Sequence, residues 1–136
     1  ADIITTSVDL DAILAAFAER ELRERSAPLY PPHARLCNIV LSGTEEPAVE
    51  DGARAAADWM AGLLAQHNAQ DGVALIGPAP CAIDRIRGRW RWHFLLRSTS
   101  ARVLGAACRQ LATRYPFRPG RADLRMIIDR DPVSLL

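Results

Sequence analysis

Residues 89–97 read Arg-Trp-Arg-Trp-His-Phe-Leu-Leu-Arg and alternate between apolar and mostly basic side chains. Successive side chains of a β-strand point to opposite faces of the sheet. A strand in this segment therefore has one apolar face, formed by Trp90, Trp92, Phe94 and Leu96. Its other face carries Arg89, Arg91, His93, Leu95 and Arg97. The pattern predicts a sheet that buries the aromatic face and leaves arginines outside, where they can meet an anion. Alternation alone is also typical of any half-buried strand with solvated arginines.

Charge is divided unevenly along the 136 residues, although the formal net charge is only +1. Residues 1–71 contain five arginines and twelve acidic residues, which gives −7. Residues 72–136 contain twelve arginines and four acidic residues, which gives +8. Such asymmetry favours a polyanionic partner, and the guanidinium group pairs with phosphate through two hydrogen bonds. The composition, 49% hydrophobic and 24% charged, is that of a globular domain, and no apolar run has the length of a membrane span.

Residues that often carry chemistry are widely scattered. Cys37, Cys81 and Cys108 form neither a disulfide framework nor a zinc site, and they favour a cytoplasmic location. Cys37 and Cys108 are interpreted as small core hydrophobes. Asp129 and Asp131, beside a proline, are interpreted as turn-forming residues. We find no catalytic constellation, no metal-ligand spacing and no phosphate-binding loop, so the sequence predicts neither a catalytic residue nor a cofactor.

The periodicity of apolar residues predicts the order of elements. A short strand at 2–6 and a helix over 10–22 come first. From residue 34 the order is strand, helix, strand, strand, helix, strand, with strands at 36–41, 72–76, 89–97 and 124–129. One helix begins at Pro47 and the other follows a cap at Ser100, and residues 77–80 end the second strand. This is an α+β fold, the ferredoxin-like βαββαβ sandwich, with a four-stranded antiparallel sheet and both helices on one face. In this arrangement Arg125 joins the open face.

Several motifs carry a resemblance to a known family. They are Tyr30-Pro31-Pro32, Leu75-Ile76-Gly77-Pro78-Ala79-Pro80, Arg87-Gly88-Arg89-Trp90-Arg91-Trp92 and Asp129-Arg130-Asp131-Pro132-Val133-Ser134-Leu135-Leu136. In this order and spacing the chain resembles the C-terminal portion of the primosomal replication-restart helicases, the primosomal protein N′ (PriA) family. The resemblance implies that residues 1–30 are a connector, made of the end of a helicase lobe and a helix. Residues 31–136 are then the C-terminal α+β DNA-binding domain.

The resemblance also implies a function. The domain is expected to fold like a small-subunit ribosomal protein, to bind stalled or branched DNA forks, and to support primosome assembly with single-stranded DNA-binding protein (SSB). The expected nucleic-acid contacts are Arg87, Arg89, Arg91, His93, Arg97 and Arg125. The SSB tail is expected on the helix after the Trp-rich strand, where Ala101, Val103 and Gly105 leave Arg102 as the early basic residue.

The parent protein of such a domain would be an ATP-dependent 3′-to-5′ DNA helicase that uses ATP, Mg and Zn. The Walker-type loop and the zinc-binding cysteines of that family are missing from these 136 residues, so this fragment is expected to be non-catalytic. Two other classes remain open. One is an interaction module that packs on the rest of the helicase or on partner proteins without touching DNA, and the other is a small-ligand regulatory domain.

Overall fold

A computed structural model describes residues 34–69 and 72–131. Its elements are β1 (Arg35–Gly43), α1 (Glu46–Gln66), β2 (Val73–Ile86), β3 (Arg89–Ser98), α2 (Ala101–Arg114) and β4 (Arg125–Arg130). The predicted βαββαβ order from residue 34 is confirmed. The predicted strand at 2–6, the first helix and the connector lie outside the described residues.

The four strands form one antiparallel sheet in the order β2-β3-β1-β4. Strand β1 lies between β3 and β4, so Ile39 pairs with Phe94 on one side and with Ile128 on the other. Both helices pack on one face of this sheet, where Ile39, Phe94 and Leu104 are fully buried. This strand order and layering confirm the ferredoxin-like sandwich. None of the helices in the described part of the chain has the length and apolarity needed to cross a membrane.

The two helices begin where the sequence predicted. Helix α1 carries Pro47 in its first turn, where a missing backbone N–H costs nothing. Helix α2 is capped by Ser100, whose Oγ accepts a hydrogen bond from the Val103 backbone N–H at 3.2 Å. Each helix buries one stripe of small and aliphatic side chains against the sheet, including Ala56 and Met60 in α1. These buried stripes place both helices on the core side of the sheet.

Strand β3 turns its aromatic face toward the helices, as its alternation predicted. Phe94 and Leu96 are fully buried, and Trp92 is 9% exposed. Trp90 is half-buried and packs against the rim of this core. The odd-numbered residues of β3 consequently lie on the face that the helices leave uncovered.

The prediction that residues 77–80 end the second strand is wrong. Strand β2 runs on through Gly77-Pro78-Ala79-Pro80 to Ile86, and it forms a long hairpin with β3. Two register shifts, between Ile76 and Ala79 and between Pro80 and Arg85, absorb the interruptions. Among the described strands β2 lies at the edge of the sheet and pairs with β3 alone, so a proline there removes no hydrogen bond that these strands need.

Candidate nucleic-acid interface

The open face of the sheet brings two arginines into one row. Ser42 of β1 pairs with Arg91 of β3 and also with Arg125 of β4. Directly paired residues of neighbouring antiparallel strands point to the same face. Arg91 and Arg125 therefore flank Ser42 on the open face, which confirms the expectation that Arg125 joins it.

Arg89 is bound by its neighbours. Its Nη1 lies 3.0 Å from Asp123 Oδ2, and its Nη2 donates to the carbonyl oxygens of Asp123 at 2.6 Å and Ser42 at 3.1 Å. Its side chain is only 17% exposed. Arg89 thus joins β3 and β1 to the loop before β4, and little of its guanidinium faces solvent. Arg125 reaches the same carboxylate at 3.3 Å but remains 62% exposed.

The other basic residues of β3 differ in their surroundings. Arg91 is half-buried, and its Nη1 donates to the Ile83 carbonyl at 2.8 Å, which ties it to the hairpin. Arg97, at the far end of the strand, is exposed and makes no hydrogen bond or ion pair within residues 34–69 and 72–131. The open face therefore carries exposed positive charge at both ends.

The β2–β3 hairpin extends this basic surface beyond the sheet. Its turn is formed by Arg87 and Gly88, with φ of +53° and +78°, as in the type I′ turns that suit hairpins. Arg87 is exposed at this turn. Arg85 pairs with Trp90 and therefore lies on the helix-facing side, with its guanidinium 4.7 Å from the centre of the Trp90 ring. Sequence reasoning missed Arg85, because the strand was predicted to end before it. Continuing the strand past Pro80 would have placed Arg85 in the hairpin.

His93 occupies the middle of the open face. Its Nδ1 lies 2.7 Å from Oδ1 of Asn38, a side chain that is only 4% exposed. Because a carbonyl oxygen only accepts, Nδ1–H is the donor here. Burial lowers the pKa of His93 below its usual 6.5, and the nearby Arg91 lowers it further. The neutral ring therefore offers hydrogen bonding rather than charge.

Apolar side chains lie on the same open face. Val40 pairs with Ile127, which is 57% exposed, and Ile76 of β2 is 43% exposed. These residues, with Leu95, lie between the row of Arg91 and Arg125 and the end marked by Arg97. The open face is thus basic at its ends, and its middle carries these aliphatic side chains beside His93 and Asp129.

The two carboxylates near the end of β4 point in different directions. Asp129 pairs with Asn38 and shares its face, whereas Asp131 is ion-paired with Arg35 at 3.2 Å. Asp131 also has φ of +51°, a conformation frequent for Asp in turns. The turn-forming interpretation fits Asp131, but it is wrong for Asp129, which lies within strand β4 and pairs with Asn38.

Comparison with known proteins agrees with these features. A sequence model described as the primosomal protein N C-terminal domain matches residues 26–133. The chain belongs to this family. Curated relatives include the replication restart protein PriA of Treponema pallidum, 31% identical over 121 residues and 89% of this chain. The PriA of Synechocystis is 34% identical over 119 residues, 88% of this chain. A probable PriA of Deinococcus radiodurans is 33% identical over 101 residues, 73% of this chain.

The chain spans only a small part of these PriA relatives, 17%, 13% and 10% of their lengths in the order given above. In this member of the PriA C-terminal family, Arg102 lies exposed in the first turn of α2. It is on the helical side of the sheet, away from the row of Arg91 and Arg125. The structure therefore separates the residue expected to bind a partner from the residues expected to bind nucleic acid.

Proposed function

We propose that this chain is the DNA-binding C-terminal domain of a PriA-type replication-restart protein, and that it binds stalled or branched forks without catalysing a reaction. Family membership supports the link to replication restart. Support for DNA as the ligand comes from the basic surface of the open face and the hairpin. The arginines of both surfaces lie in residues 72–136, which contain twelve arginines and four acidic residues.

The row of Arg91 and Arg125 carries this proposal. The two residues lie on strands separated by β1, so their backbones are about 10 Å apart, two strand spacings. Arg97 and the turn residue Arg87 extend the cationic surface in two directions. Arginines arranged in this way bind phosphates rather than base edges, so binding is expected to tolerate changes in the DNA sequence.

Salt dependence tests the proposal on forked, single-stranded and duplex DNA. Affinity is expected to be about micromolar or weaker at physiological salt. Arg91→Gln and Arg125→Gln should each weaken binding on all sequences and lower the slope of log K against log salt by about one. Arg102→Gln, on the helical side, is the matched control and should leave the slope unchanged.

Arg89 is unsuitable for this test, because removing it also removes its bonds to Asp123 and Ser42. The double variant Arg91→Gln/Arg125→Gln is used instead, with its fold checked by circular dichroism. An unchanged affinity and salt slope for this folded double variant would show that the open face is not a DNA surface.

We propose further that the parent is an ATP-dependent helicase, that the sites for ATP, Mg and Zn belong to its other regions, and that this chain hydrolyses no ATP. DNA-stimulated hydrolysis by the purified chain would contradict this.

The SSB tail is proposed as a partner through Arg102, which is exposed in α2. Arg102→Ala should then weaken binding of a tail peptide, whereas Arg97→Ala should not.

A second candidate function rests on the aliphatic side chains in the middle of the open face. An interaction module would cover Ile127 and Ile76 with another domain of the parent or a partner protein. Ile127→Ser should then weaken association with the rest of the helicase while the DNA salt slope stays constant. Ile83→Ser, in the hairpin and similarly exposed at 44%, is the control. Equal association for both variants would leave DNA binding as the only candidate.

A further inference from the structure

Two cysteines that are distant in sequence meet beneath the sheet. Cys37 lies in β1 and Cys108 in α2, 71 residues later, and their Sγ atoms are 2.9 Å apart. Both are free thiols, and they are 0% and 5% exposed. A bond between these sulfurs would link the central part of the sheet to the second helix.

A positive charge lies beside this pair. Arg130 of β4 pairs with Cys37 of β1. Its side chain extends over α2, where Nη2 donates to the Ala101 carbonyl at 3.0 Å. The absence of a side chain at Gly105 leaves room for it, because an added Cβ would lie 3.0 Å from Nη1. Arg130 is therefore held against the helix that carries Cys108.

The two thiols have different acidities. The hydrogen bond with Cys37 lowers the pKa of Cys108 and Arg130 lowers it further, while burial acts in the opposite direction. The same hydrogen bond raises the pKa of Cys37, and burial adds to this. In the structure the Cys108 thiol donates this hydrogen bond to Cys37 Sγ. When Cys108 loses its proton, the Cys37 thiol becomes the donor to the Cys108 thiolate, and thiolates are the nucleophiles in sulfur chemistry.

We propose that Cys37 and Cys108 are a peroxide-reactive pair that closes to a disulfide between β1 and α2. The Cys108 thiolate attacks one oxygen of hydrogen peroxide, the O–O bond breaks, and a sulfenic acid forms while the departing hydroxide takes up a proton to become water. The Cys37 thiol then attacks the sulfenic sulfur, the S–O bond breaks, and the hydroxide leaves with the Cys37 proton as a second water. Two thiols lose two electrons, one peroxide becomes two waters, and a thiol reductant reverses the step.

Cys81 supplies an internal control. It is buried in β2 at 3% exposure, and burial raises the pKa of its thiol. No other cysteine of the described residues forms a hydrogen bond with it. The proposal therefore predicts that Cys81 takes no part in the reaction.

The test treats the folded 136-residue chain with hydrogen peroxide and follows its intact mass and its unreduced tryptic peptides. The expected product has lost two hydrogen atoms and contains a Cys37–Cys108 cross-linked peptide. Cys81→Ser should behave in the same way. Cys37→Ser should stop at the sulfenic acid on Cys108, which gains one oxygen, and Cys108→Ser should give neither product.

Two further comparisons test the proposal without cysteine substitutions, which could impair folding. The wild-type chain is oxidised both folded and in urea, and the cross-link should form faster in the folded chain because the sulfurs are already in contact. Arg130→Gln should slow sulfenic acid formation by up to about tenfold, the change in thiolate fraction for one pKa unit. Arg118→Gln, in an exposed loop, is its control. A folded chain that gives no Cys37–Cys108 peptide, or gives it no faster than the unfolded chain, would overturn the proposal.

Discussion

Trp92 connects the sheet to α1 through several contacts. Its ring lies in the core, its Nε1 donates to Glu46 Oε2 at 3.3 Å, and the Arg54 guanidinium lies 5.9 Å from the ring centre. Trp92→Ala should lower the free energy of unfolding by roughly 3–5 kcal/mol, the usual range for loss of a large buried aromatic side chain. Urea unfolding followed by circular dichroism measures this. Trp90→Ala, at a half-buried position, should cost less, and a wild-type stability for Trp92→Ala would be incompatible with the assigned faces of β3.

His93 makes the stability of the domain depend on pH. Its pKa is lowered in the folded chain, by burial first and then by Arg91, so the unfolded chain binds more protons between that lowered pKa and 6.5. Stability therefore rises with pH in this window and is lost as the pH falls through it. Unfolding free energies at about pH 7 and pH 5 should differ less for His93→Gln than for the wild type. An equal pH dependence in both proteins would assign the effect to other groups.

At the scale of elements, the hairpin turn depends on its backbone conformation. Gly88 has φ of +78°, and an added Cβ would meet no atom within 4 Å. Gly88→Ala should therefore cost about 1 kcal/mol of stability through backbone strain alone. Gly62→Ala is the matched control. A Cβ added at Gly62 also meets no atom within 4 Å, and this residue lies in helix α1 rather than in a turn. That substitution should stabilise the chain by about 0.5–1 kcal/mol, and an equal effect of the two changes would contradict the assigned turn.

The sequence predicted correctly those elements in which the residue types themselves indicate which side chains are buried. The alternation of β3 identified both its faces, because Trp92 and Phe94 cannot be exposed at low cost. The course of β2 was mispredicted, because Pro78 and Pro80 are breakers only where a strand has neighbours on both sides. Whether a strand lies at an edge is a property of the whole sheet, so local sequence does not contain it.

The candidate site was predictable in position but not in detail. Periodicity placed Arg91, Arg97 and Arg125 on the open face. That Arg89 is engaged by Asp123 depends on a contact 34 residues away in sequence, and the meeting of Cys37 with Cys108 spans 71 residues. Contacts of this separation follow from the folded topology, which a single sequence read by local pattern does not supply.

At the scale of the domain, the helical layer and the open face of the sheet differ in composition and in function. The helical layer closes the core, while the opposite face presents charge at its ends and aliphatic side chains between them. This arrangement allows phosphate binding and protein packing to be measured separately, since Arg125 and Ile127 lie on the same strand two residues apart. Substitutions at these positions should affect salt dependence and protein association, respectively.

The central position of β1 has a consequence for how the chain folds during synthesis. Strand β1 is synthesised first of the four described strands, yet one of its two neighbours is β4, the last. Ser42 therefore cannot pair with Arg125 until β4 has been synthesised. Until β4 leaves the ribosome, one side of β1 presents unpaired backbone groups to the surrounding chains, which is the condition under which nascent sheets aggregate. A chain cut after residue 120 should therefore require chaperone protection to stay in solution, although it retains both helices and most of the core.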